Sequence, residues 1–143
     1  MTRQNVPISS LHEGDVIAIK NTRDGIATKS WQYALVITPP FKRAGQVQGV
    51  EVFMLRPHDP GEYIKNDPYH YMYGDSYDHQ AVKAAMGLHG DKNWRLHYSV
   101  NFVPNNPAFL GLDGGMVRKT GSISNDPAFN FIIHHASTLN INH

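Results

Sequence analysis

The chain has no cysteine, almost no net charge and no long apolar run. Without cysteine there are no disulfide staples and no thiolate metal centres. With 13 Lys+Arg against 12 Asp+Glu the formal charge is only +1. No bulk field therefore draws in nucleic acid, and any such contact must come from a local patch. No segment approaches the roughly 20 apolar residues of a membrane helix. The opening MTRQNVPISS has no signal-peptide core. The expectation is a soluble, cytoplasmic chain that needs no membrane, metal or cofactor.

What is present is the composition of a folded protein. The 143 residues are 41% hydrophobic and 17% charged, which predicts one domain spanning residues 1–143. The Glu13-Gly14-Asp15 cluster reads as a tight turn feeding the strand Val16–Ile19. Asn21 to Lys29 is polar, with a turn signal at Asp24-Gly25. Two apolar, β-branched runs follow, Tyr33–Thr38 and Val50–Leu55, joined by a polar, glycine-containing connection that carries Lys42 and Arg43. Residues 57–94 read as an irregular insertion rich in Tyr, His and Pro, with a helix expected over 76–88.

Beyond the insertion, Arg95–Val103 alternates apolar and polar residues, placing Leu96, Tyr98, Val100 and Phe102 on one side of a half-buried strand. Asn105-Asn106-Pro107 reads as a loop, and Arg118–Ser122 as a basic loop. Asn125-Asp126-Pro127 starts a final helix whose buried face is Phe129, Ile132, Ile133, Ala136 and Leu139. Strands do not alternate regularly with helices, so the fold class is α+β: a strand-rich barrel or curled sheet with a packed C-terminal helix.

Several residues carry chemistry. The second apolar run stops at Arg56-Pro57-His58-Asp59, a polar strand end of the kind that holds binding groups. Metal-independent RNA cleavage needs a base for the 2′-hydroxyl, an acid for the leaving oxygen and positive charge on the phosphate. His58 offers the acid/base, and Arg56 and Arg118 offer the charge. Successive strand residues face opposite ways, so Asp59 could orient His58 only through a turn, and Asp59-Pro60 is equally an ordinary turn start. Lys42 and Arg43 could grip an RNA backbone or simply solvate a loop tip. Lys119 and Ser122 could help seat a phosphate beside Arg118.

The order of these segments resembles the PemK/MazF toxins. The resemblance rests on Gly14-Asp15-Val16-Ile17, then Ala34-Leu35-Val36-Ile37-Thr38, then a strand ending in Pro57, and later Met116–Ser124 before the last helix. It implies an SH3-like barrel, usually dimeric, that cleaves single-stranded RNA without metal and is held inactive by an antitoxin protein. The site it implies joins Gln32, Thr38, Arg56, His58 and Arg118, with Lys42, Arg43, Lys119 and Ser122 as RNA contacts. Two positions depart from the family. Gln32-Tyr33 stands where an Arg-Pro pair is usual, and His58-Asp59 where a threonine or serine follows the proline. Glutamine can hydrogen-bond a phosphate oxygen but supplies no fixed charge.

Two other functions fit the same residues. The Tyr/His-rich insertion could make the chain a non-enzymatic interaction module, for example a phage or plasmid accessory protein. Its histidines and aspartates, with His97, could instead build a metal-dependent hydrolase, although no pair has the tight spacing of a helical zinc motif.

Overall fold

The computed structural model describes residues 4–23, 26–58, 93–110 and 116–138; the expected insertion with its helix over 76–88 lies outside them, apart from its ends. The strands are β1 (Gln4–Pro7), β2 (Asp15–Arg23), β3 (Ile26–Val36), β4 (Phe41–Arg43), β5 (Gln46–His58), β6 (Asn93–Pro104) and β7 (Met116–Ser122). A 3-10 turn covers Ile8–Ser10, helix α1 is the single turn Pro107–Leu110, and helix α2 is Pro127–Thr138. All pairings are antiparallel and form one curled seven-stranded sheet. Strand order runs β1-β7-β2-β3-β5, with β4 and β6 also pairing β5. The α+β expectation is met at this level: a strand-rich, barrel-like sheet with a C-terminal helix.

Both faces of this sheet are covered, which is why its central strands read as continuous apolar runs rather than alternating ones. One face buries Val16, Leu35, Phe53, Leu55, Leu96 and Tyr98 beneath Phe129 and Ile132 of α2. The other buries Ile17, Ala34, Val36, Val52 and Met54 beneath Ile8, Leu11 and Leu110 from the two short turns. Each fully buried Leu, Ile or Val contributes about 1.5–3 kcal/mol of transfer free energy.

The C-terminal helix starts as its sequence predicts. The Asp126 carboxylate accepts the Ala128 N–H at 2.9 Å, an N-cap, and Pro127 takes the first helical position. Phe129, Ile132 and Ala136 face the sheet. Ile133 is 37% exposed, because it lies roughly 100° around the helix from Ile132. Leu139 is outside the described residues.

Three segments differ from their sequence reading. Arg118–Ser122, expected as a basic loop, belong to β7, paired on one edge with β1 and on the other with β2. A bulge at Thr120 breaks the alternation there, and the Thr120 hydroxyl donates to the Val16 carbonyl at 3.2 Å. Residues 21–23 and 26–30 extend a long β2–β3 pair instead of a polar connection. Asn105-Asn106 does loop, but Pro107 then opens the one-turn α1.

Lys42 and Arg43 also lie on a strand. β4 and β5 form a hairpin with Arg43 opposite Gln46, so the loop is Ala44-Gly45 alone. Both loop residues have positive φ, 53° and 79°, as a type I′ turn requires. Alanine is poorly suited to that conformation, which costs a residue with Cβ about 1 kcal/mol. Ala44→Asn should therefore raise the melting temperature by about 3 °C in a thermal unfolding scan. An unchanged or lower value would contradict the turn assignment.

Candidate nucleic-acid interface

Among the described residues two cationic side chains meet around one tryptophan, Trp31. Lys20 stands opposite Trp31 across β2 and β3, while Arg118 on β7 stands opposite Ala18, whose partner on β3 is Tyr33. These residues share the face that carries α2, since Val16 and Leu35 pair in the same register. Ala18 is small and 2% exposed, so nothing bulky separates Trp31 from Arg118. The Lys20 Nζ lies 4.2 Å from the Trp31 ring centroid, and the Arg118 guanidinium carbon also lies at 4.2 Å. The negative ring faces offset the repulsion between the two cations. Neither has a carboxylate within ion-pair distance among the described residues. All four side chains, Tyr33 included, are half-buried, so the cluster stays open to a ligand.

The expected site residues divide around this cluster. Arg118 is part of it. Gln32 is adjacent to Trp31 in sequence but pairs with Ile19, and so occupies the opposite face of the sheet. Thr38 lies five residues past Tyr33, about 17 Å along the strand direction at about 3.3 Å per residue. Its hydroxyl accepts the Glu51 N–H at 3.2 Å, fastening the chain where it leaves β3. For Arg56 and His58 only the backbone is described. β5 runs past Leu55, the partner of Tyr33, so its register carries both residues toward the Trp31 end of the sheet.

The remaining RNA-contact candidates have distinct surroundings. Lys119 points to the other face, where its Nζ lies 3.5 Å from the Asp15 carboxylate. Asp15 is 1% exposed and also accepts the His12 N–H at 2.8 Å. Lys119 is thus committed to neutralising a buried charge. The Ser122 hydroxyl is 2.7 Å from that of Ser124, which in turn donates to the Glu13 carbonyl at 2.6 Å. This serine pair ties β7 to the turn before β2. Lys42 and Arg43 are exposed at the far end of the sheet.

No family model, curated protein or solved structure matches this chain. Of the His and Asp residues expected to compete for a metal, only His97 is described, and it is buried on the strand β6. Among the described residues no three His, Asp or Glu side chains gather as a metal site. No described helix is long and apolar enough to cross a membrane.

Sequence reading missed Lys20 and Trp31 as partners of Arg118. A hairpin signal at Asp24-Gly25 was visible, but a bulge beyond Lys20 shifts the β2–β3 register, so simple counting pairs Lys20 with the wrong residue.

Proposed function

We propose that this chain binds single-stranded RNA as a relative of the PemK/MazF toxins, with Lys20, Trp31 and Arg118 as the phosphate-contacting centre. The observation that carries the reading is the pair of cations held 4.2 Å from one half-buried indole, with no described carboxylate to neutralise them. Such a pair is already ordered before a phosphate arrives, which lowers the entropic cost of binding. Arginine also offers a planar fork that matches phosphate oxygens. Tyr33 beside the cluster supplies an aromatic surface of the kind on which bases stack.

Binding should be salt-dependent, with a slope of about −0.7 per phosphate neutralised on a single strand. Arg118→Gln should lower the affinity for an RNA octamer several-fold and make the slope shallower by about 0.7. Titration of Trp31 fluorescence in a Trp94→Phe background measures both. An Arg118→Gln protein with unchanged affinity and slope would remove Arg118 from the interface.

RNA cleavage is a second reading, favoured by the register that carries His58 toward the same end of the sheet. His58 would then take the 2′-hydroxyl proton while Arg118 bears on the phosphate. Expression of the chain alone should arrest bacterial growth, His58→Ala should relieve the arrest, and purified protein should cleave RNA in EDTA. Intact RNA and normal growth at high expression would leave binding without cleavage. An antitoxin partner and a homodimer belong to this toxin reading and fall or stand with it.

A further inference from the structure

Helix α2 carries an aromatic pair that the core does not use. Phe131 is 55% exposed, the most exposed large apolar side chain among the described residues. Its ring lies parallel to that of His135, with centroids 6.1 Å apart and planes within 7°. His135 in turn meets the ring of Tyr98 edge-on at 5.2 Å, and Tyr98 is fully buried. Phe131 therefore rests against a side chain that is itself held by the core. The exposed helix residues beside it, Asn130 and His134, are polar.

The handedness of the fold decides which way this pair looks. On β3 the odd-numbered residues Tyr33, Leu35 and Ile37 pack toward α2. The Ile37 N–H donates to the Glu51 carbonyl of β5 at 2.9 Å, so the N–H groups of these residues point at β5. For L-residues, seen from the helix side with β3 pointing up, β5 and β6 then lie to the right and β2 and β7 to the left. Trp31 is below Leu35. α2 follows the Ile123–Gly14 hydrogen bond on the left and brings His135 to Tyr98 of β6 on the right. Successive residues of a right-handed helix turn by roughly 100°. Phe131 and His135, one position before the sheet-facing Ile132 and Ala136, thus occupy the lower flank, toward Trp31. Ile133 occupies the upper one. Tyr33 lies between: it is two residues, about 7 Å, from Trp31 along β3 and packs against the cluster beneath α2.

We propose that Phe131 is a stacking platform for one unpaired base of the RNA strand whose phosphates lie on Lys20 and Arg118, with Tyr33 lining the path between them. The proposal rests on the RNA-binding reading above and adds to it a contact that carries no charge. One ring amid polar neighbours matches the area of a single base and falls far short of the roughly 800 Å² per partner of a stable protein interface.

The test measures binding of labelled rU8, and of an abasic ribose-phosphate octamer, by fluorescence anisotropy across a salt series. Phe131→Ala should weaken rU8 binding about tenfold with an unchanged salt slope, since no charge is removed. Phe131→Trp should restore binding to within about threefold of wild type, and Ile133→Ala on the other flank should leave it unchanged. The abasic octamer should bind wild type and Phe131→Ala equally. Undiminished rU8 binding by Phe131→Ala, or an equal loss for the abasic octamer, would overturn the platform while leaving RNA binding intact. Loss of a wild-type dimer in Phe131→Ala, seen by sedimentation, would overturn it in favour of a second copy of the chain. If wild type binds neither octamer, the RNA reading falls and the platform with it.

Discussion

Gly49→Ala should destabilise the protein by about 3 kcal/mol or more, combining backbone strain with a clash. Gly49 has φ of 154°, a conformation side chains rarely adopt. A Cβ there would also lie 2.2 Å from the Val103 carbonyl oxygen and 2.6 Å from the Phe102 ring. The ring can swing aside, being half-exposed. The carbonyl cannot, since Val50 pairs with Val103 and Gly49 with Pro104 in the β5–β6 ladder. The expected fall in melting temperature is about 6–12 °C, read by thermal unfolding. Adding Phe102→Ala should recover only part of it, because the carbonyl remains. A Gly49→Ala protein that melts with the wild type would show that β5 and β6 do not approach as described.

Removing the buried carboxylate should cost a similar amount. Asp15→Ala leaves the His12 N–H without its acceptor and frees Lys119 from its partner, an expected loss of about 3 kcal/mol. Lys119→Ala should cost less, about 1 kcal/mol, since the lysine side chain is 27% exposed while that of Asp15 is 2% exposed. The double variant should be less destabilised than the two singles summed, because each single removes the same interaction. Urea unfolding of the four proteins completes the cycle. Strict additivity would mean that Asp15 acts through His12 alone. Either loss is large against a total stability of roughly 5–15 kcal/mol.

Parts of this fold were legible because their physics is local. The runs Tyr33–Thr38 and Val50–Leu55 announced strands, and Asp126-Pro127 announced the start of α2. Strand β7 was not legible. It has few apolar positions to declare a period, and it exists because β1 and β2 supply partners for both its edges. The site divides in the same way. Arg118 was identifiable by residue type, whereas its association with Trp31 depends on a bulge and a strand pairing that no single segment encodes. The family resemblance joined Gln32 and Arg118 in one site. Strand alternation puts them on opposite faces.

The pairing of β2 with β7 also fixes when the protein can fold. Thr120 and Val16 are 104 residues apart in the chain, yet they share a hydrogen bond in the middle of the sheet. Closing that loop costs about 3 kcal/mol more entropy than closing a hairpin of about four residues. At about 5–20 residues per second of synthesis, β2 waits roughly 5–20 s for its neighbour to be made. During that interval its backbone N–H and C=O groups on one edge are an open template, and Val16–Ile19 is the stretch a chaperone or a neighbouring nascent chain would meet first.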